Sequence, residues 1–379
     1  MRITGTDSIQ AHFGKLKDPR VRRTRRHVLL DIIALSICGV VAGADDWVGI
    51  VDFGKAKESW LRQYLALPNG IPSHDTLGRV FGLLDPDQFE ACFSSWTRAA
   101  FGEVGDEVIA IDGKTVRRSH DRSAGRQALQ LVSAWAASSG VVFGQRKVDC
   151  KSNEISAIPE LLKTLATSGC IVTIDAIGCQ TEVAEIIVEQ QSDYVLAVKE
   201  NQGNLHAAIR DLFKYGEETS FRDLPHSHHK TVDKDHGRIE VRECWAIDDL
   251  ETLKGLPELR RWKKATSVLM VVAQRRIGPL RSSETRYYLS SLAGDAKHLL
   301  HCVRAHWGIE NCLHWVLDVA FREDDSRVHT NAAAENLSRI RRIALNLLRQ
   351  DKDAGCGVKN RRKRAGWNND YLIKILDYA

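Results

Sequence analysis

An α/β protein is the fold class this sequence predicts: a mixed sheet preceded by a helical N-terminal domain and carrying a β-rich insertion. Three observations lead there. Apolar residues recur at helical spacing from Ile9 to about Ala100. Short apolar runs then alternate with amphipathic segments as far as Lys199. Beyond Lys199 the alternation gives way to strand-like segments, and helical periodicity resumes near Asp295. With 379 residues, 43% of them hydrophobic, the chain can bury a large core and divide into more than one domain.

The helical region, 1–100, is broken by turns at Leu67-Pro68-Asn69-Gly70-Ile71-Pro72 and Asp85-Pro86, with Ser73 or Asp75 able to cap the helix that follows. Its segment Val28 to Gly43 is shorter than the ~20 apolar residues of a membrane span and contains Asp31, so a buried core helix is expected. A soluble, cytoplasmic protein with no membrane partner is the corresponding expectation. In 101–199, Glu107 to Asp112 is an apolar strand ending in an acid. Leu129 to Trp135 and Val141 to Val148 form two more strands around a Ser138-Ser139-Gly140 turn. A helix around Pro159 to Ala166 precedes Cys170 to Asp175, a second apolar strand ending in an acid. A helix from Thr181 to Gln190 and a strand from Tyr194 to Val198 follow. That order is the one expected of a ribonuclease-H-like mixed sheet.

Residues 200–292 read as the insertion: a helix from Asn204 to Phe213, a polar loop, then strands at Arg238 to Ala246, Ser267 to Arg275 and Thr285 to Ser290. Residues 293–350 return to helix, first from Asp295 through Asp318, then from Asn331 to Gln350. Residues 351–379 form a basic tail, with Lys359, Arg361, Arg362, Lys363 and Arg364 ahead of a short helix from Asn369 to Tyr378.

Fifty-four Lys+Arg against 49 Asp+Glu leave a net charge of +5. So small an excess suggests nucleic acid only where it is clustered. It is clustered in the leading segment, where Lys15, Lys17, Arg20, Arg22, Arg23, Arg25 and Arg26 are accompanied by one acid, Asp18. Arg22, Arg23, Arg25 and Arg26 are therefore candidate phosphate contacts, against the alternative of a solvated charged arm. Nine cysteines without a Cys-x-x-Cys pair read as reduced core residues. His226, His228, His229 and His236 with Cys244 match no familiar zinc spacing and are expected in a polar loop. Trp262, flanked by Arg261, Lys263 and Lys264, has the character of a platform for an unpaired base, with ordinary packing as its alternative.

Two strand-terminal acids at one sheet edge suit two-metal phosphodiester chemistry, in which hard cations ~3.5–4 Å apart are held by carboxylates on rigid elements. Asp112 and Asp175 fill that role if their strands are neighbours; each could equally cap a turn. The stripe Leu299, Val303, His306, Glu310, Leu313, Leu317 steps by three and four, which places Glu310 on the helix face packed against the sheet. A buried carboxylate needs a cation or a partner, so a metal ion competes with a Glu-His pair to His306 or His314. Asp318, Glu323, Asp324 and Asp325 remain alternative third acids.

The stretches Ile111 to Ser119, Thr173 to Gln180, Val198 to Gln202, His236 to Glu240 and His306 to Asn311 resemble the ISAs-type insertion-sequence DDE transposases. That group includes the H-repeat-associated proteins. Ile71 to Thr76 and Leu313 to Asp325 fit as well, so the resemblance spans nearly the whole chain. It implies a ribonuclease-H-like core in which Asp112, Asp175 and Glu310 bind two Mg²⁺ ions, with Mn²⁺ as a substitute and Asp112 bridging both. The implied partners are double-stranded DNA carrying the element's terminal repeats and a target DNA, met by a homodimer. The implied reaction is hydrolysis followed by 3′-OH strand transfer. Related cut-and-paste enzymes carry a Tyr-x2-Arg-x3-Glu-x6-Lys signature, whose other positions here hold Val303, His306 and Leu317. Arg304, His306 and Asn311 are the substitutes at hand, and Lys114, Arg117, Lys199, Asn201 and Gln202 are candidate DNA contacts. Two other readings stay open: a DNA-binding relic of a mobile element without catalysis, and a metal-dependent nuclease that nicks without joining.

Overall fold

A computed structural model describes residues 4–102, 105, 107–121, 125, 127–148, 154–235 and 237–378. Nine strands form one sheet in the order β3-β2-β1-β4-β5-β9-β8-β7-β6. They are β1 (Val108–Val116), β2 (Leu129–Ala136), β3 (Val142–Lys147), β4 (Ile171–Ile174), β5 (Asp193–Val198), β6 (Ser227–Asp235), β7 (Arg238–Ile247), β8 (Ser267–Ile277) and β9 (Leu280–Ser290). β1, β4 and β5 run parallel, and the other pairings are antiparallel, so the sheet is mixed as expected. The central strands read as continuous apolar runs because helices cover both faces.

The four strands of the β-rich insertion lengthen the same sheet, because β9 pairs with β5, Leu196 opposite Leu289. Two expectations are corrected here. The stretch around His228 and His229 is not a loop but β6, the edge strand, and His236 lies outside the described residues. The basic tail contains a helix of its own, Val358–Trp367, before the expected Asn369–Leu376.

Helices Leu29–Val41, His74–Leu83 and Pro86–Phe101 from the N-terminal region share one core with Ala333–Gln350 and the two C-terminal helices. Leu29–Val41 is buried along almost its whole length, and no helix of the described residues is long and apolar enough to cross a membrane. Arg362, counted in the basic tail, is buried against Asp45 and the carbonyls of Val40, Ala44 and Ala320. Its charge holds the helices together.

Ala333–Gln350 is polar in composition yet central, because its arginines are buried in ion pairs. Arg339 reaches Glu90 of the N-terminal region and Glu335 at 2.7 Å, while Glu90 also accepts the Gln145 amide of β3 at 2.8 Å. Removing one partner strands a buried charge, which costs about 3–5 kcal/mol. Glu90→Ala is therefore expected to lower the melting temperature sharply, and a thermal transition matching wild type would show that Glu335 alone satisfies Arg339.

Candidate active site

In the parallel pair β1 and β4, Ala110 faces Thr173 and Ile111 faces Ile174. The next residues in that register are Asp112 and Asp175. There β4 stops, while β1 runs on to Val116 beside β2 alone. β1 thus does not end at its acid as expected; what ends there is its pairing with β4. The two chains part at the aspartates, and a cleft of about 670 Å³ opens. Asp112, Asp175, Lys199, His306 and Glu310 line it, and the base of β9 from Glu284 to Tyr288 forms another wall.

Asp112 and Asp175 have different surroundings. Asp112 Oδ2 lies 3.1 Å from His314 Nε2. Burial disfavours its charge, but His314 and then His306 outweigh that and hold the carboxyl below its ordinary value. Burial, and next the charge of Asp112, push Asp175 above the usual carboxylate range. His306 lies 3.1 Å through Nδ1 from Thr173 Oγ1, and burial pulls it below the ordinary imidazole value despite both aspartates.

Glu310 departs from the sequence expectation. The helix from Ala296 to Gly308 passes into a π-helical segment, Ile309–His314, before continuing as Trp315–Phe321. The wider π turn breaks the 3.6-residue stripe, so Ile309, Leu313 and His314 are buried while Glu310 is exposed at the cleft. Such segments are frequent at functional sites. No Glu310-His pair forms among the described residues, since His314 faces Asp112 and His306 faces Thr173. Nor do three His, Cys, Asp or Glu side chains among them converge as a metal-holding group.

One acid escaped the sequence reading. Glu154 opens the helix Glu154–Thr164, and its carboxylate fills the space a Cβ on residue 113 would need, which is why Gly113 follows Asp112. Burial, then Asp175 and Asp112, push its carboxyl up. The signal available was an acid at the head of an amphipathic helix just after the three-strand run. The alternative third acids are engaged elsewhere: Asp318 and Asp324 hold Lys114, Glu323 holds Arg342, and Asp325 pairs with Arg322.

Several candidate DNA contacts are corrected. Trp262 is 5% exposed and packs in the core, because it turns inward after the Pro257–Arg261 helical turn while Arg260 and Arg261 face out. Lys114, 9% exposed, is locked between Asp318 and Asp324. Gln202 bonds the Cys179 carbonyl and Asn201 that of Ala176, so both brace the loop after Asp175, with Asn201 still at the cleft. Arg304 reaches Asp233 of β6 at 3.0 Å. Arg25 folds back on Asp18 and on the carbonyls of Asp18 and Arg20. Arg22, Arg23, Arg26, Lys199 and Asn311 are exposed, as is Arg117, which also contacts Asp324.

Comparison with known proteins bears on this geometry. Residues 103–347 match the family described as "Transposase DDE domain", and residues 10–97 match one described as "DDE_Tnp_1-associated". The "Putative transposase YncI" of Escherichia coli O157:H7 is 40% identical over 97% of this chain and 94% of its own length. The "H repeat-associated putative transposase YhhI" of Escherichia coli (strain K12) is 39% identical over 97% of both chains. An "Inactive transposase YbfQ" of the same strain is 50% identical over 54 residues, 14% of this chain and 64% of that protein. A match over most of the chain, joined to likeness along nearly its full length, shows that this chain belongs to the DDE transposase family.

Proposed function

We propose that this protein cuts and rejoins DNA as an insertion-sequence transposase, by two-metal phosphodiester chemistry on a ribonuclease-H-like core. The observation that carries it is the meeting of Asp112 and Asp175 at the end of one parallel pair, open to a cleft. The strand order β3-β2-β1-β4-β5 supports the core assignment. Two Mg²⁺ ions, with Mn²⁺ as substitute, would supply activation of the attacking oxygen and stabilisation of the leaving oxygen.

The residues fit such ions. Carboxylate oxygens are the donors hard cations take. The neighbouring charges of Asp112 and Asp175 oppose one another, as the raised Asp175 carboxyl reflects. Among the described residues neither carboxylate has a Lys or Arg partner. Asp112, oriented by His314, and Asp175 would hold the ions. Glu310 is the proposed third donor, and Glu154 the competing one, favoured by its closeness to both aspartates. Lys199 and Asn311, beside the cleft, would hold DNA phosphates, as would His306 on the Glu310 helix; a homodimer on terminal-repeat and target DNA completes the proposal.

The deciding assay is metal-dependent cleavage and joining on DNA carrying the element's terminal repeats, with nicking and strand transfer scored separately. No cleavage in Mg²⁺ or Mn²⁺ by protein that binds this DNA would sink the catalytic reading. The leading arm gives a further expectation. Neutralising Arg22, Arg23 and Arg26, the exposed members, should weaken DNA binding and make the log-log salt slope shallower by up to about 0.9 per lost contact. A salt titration of fluorescence anisotropy measures this, and an unchanged slope leaves the arm as solvated surface.

A further inference from the structure

β8 and β9 do not stay in the body of the protein. Their inner halves are buried, but residues 274–285 are exposed; β7 accompanies β8 as far as Arg238 opposite Ile277, so the outer half stands in solvent as a β8–β9 ribbon flanked on one side by β7 and β6. Its tip reads Arg275-Arg276-Ile277-Gly278-Pro279-Leu280-Arg281. Gly278, at φ 56, admits the two-residue turn. Arg276 and Arg281 stand directly opposite each other, as do Ile277 and Leu280.

Each feature is unfavourable in water alone. Like charges directly across an antiparallel pair destabilise it. Among the described residues neither Arg276 nor Arg281 has an acidic partner, and Arg276 instead donates to the Gly278 carbonyl at 3.2 Å. Leu280 is 73% and Ile277 45% exposed, beside an exposed proline. Glu284, nearer the base, is held by Arg286 at 2.6 Å, and Glu240 on the flanking β7 is held by Arg238 at 2.7 Å, leaving the tip cationic. Opposed arginines around an apolar point suit a partner that is anionic on its rails and apolar between them. Duplex DNA is that partner: phosphates flank a minor groove whose base steps accept Ile, Leu or Pro as a wedge.

We infer that the β8–β9 ribbon is a DNA arm, in which Arg276 and Arg281 clasp the minor-groove phosphates while Ile277, Pro279 and Leu280 wedge a base step and bend the duplex. The ribbon's base lines the cleft through Glu284 to Tyr288. From Tyr288 to Arg281 the strand advances seven residues, roughly 24 Å at ~3.4 Å each. That matches about seven base pairs of duplex. The arm would thus meet DNA some seven pairs from the strand lying at Asp112 and Asp175, and to that extent the inference rests on the proposed function.

The test uses the full chain and a 40-base-pair duplex of mixed sequence, end-labelled so that energy transfer reports bending and anisotropy reports binding. Arg276→Ala with Arg281→Ala should weaken binding about tenfold or more and make the salt slope shallower by roughly 1.8, two contacts' worth. Ile277→Ser with Leu280→Ser should keep the salt slope and lose the energy-transfer change on binding. Melting temperatures should stay near wild type, since these side chains lie outside every buried core cluster. Unchanged affinity, slope and bending would overturn the arm. Bending that survives the serine pair would overturn the wedge. A change in oligomeric state without DNA, with DNA affinity intact, would overturn the assignment in favour of a contact between copies. Asp112→Asn separates the two readings: it should still bend DNA, so loss of bending in ribbon variants cannot be confused with loss of chemistry at the cleft.

Discussion

Asp112→Asn should reduce Mg²⁺-dependent cleavage of terminal-repeat DNA by roughly three orders of magnitude or more, about 4 kcal/mol of transition-state stabilisation. DNA affinity and melting temperature should stay close to wild type. The substitution keeps shape and an oxygen for His314 while removing the charge a hard cation requires. It relieves the repulsion that pushes Asp175 up but loses the favourable charge contact with His314 and His306, so the two effects oppose and the net change in stability should be small. Phosphate binding depends on arginines and lysines elsewhere and is left alone. The contrast between intact binding and lost cleavage separates an enzyme from a DNA-binding relic. A cleaving, normally stable Asp112→Asn protein would remove Asp112 from the chemistry.

The placement of Asp112 and Asp175 was legible because both follow apolar runs whose pattern depends on local burial alone. Leu29–Val41 was legible for the same reason. Features set by contacts between distant segments were not. The pairing of β5 with β9 joins residues far apart in sequence, and no local pattern announces that the insertion lengthens the existing sheet. β6 alternates polar residues because it is an edge strand with little core beneath it, so it resembled a loop. Lys114, Arg339 and Arg362 look like surface charge in sequence, yet each is buried in an ion pair whose acid lies far along the chain. Trp262 was misjudged because its charged neighbours were taken to share its exposure, whereas the turn before it sends them opposite ways.

The third donor is where helical periodicity misled most, and it supplies the other large effect. Glu310→Gln should lower cleavage about as far as Asp112→Asn, again with DNA affinity intact. Because Glu310 is exposed in a π-helical segment and makes no buried pair, its neutral isostere should leave the melting temperature unchanged. A buried Glu-His pair, the other reading of the sequence, would instead show a clear loss of stability. Glu154→Gln is the matched experiment. Its carboxylate presses on Gly113 and is disfavoured in charged form by burial, Asp175 and Asp112. If it holds no metal, neutralising it relieves repulsion, so stability should hold or rise and cleavage persist. If it is the true third donor, Glu154→Gln abolishes cleavage while Glu310→Gln keeps most of it. Loss in both variants would give the site four acids, Asp112, Asp175, Glu154 and Glu310. Measuring cleavage over a Mg²⁺ and Mn²⁺ titration adds a readout that a purely structural role would not move. A lost donor raises the metal concentration needed for half-maximal rate, whereas a folding defect lowers the rate equally at every concentration. A Glu310→Gln enzyme with wild-type rate and wild-type metal dependence would assign the third position to Glu154.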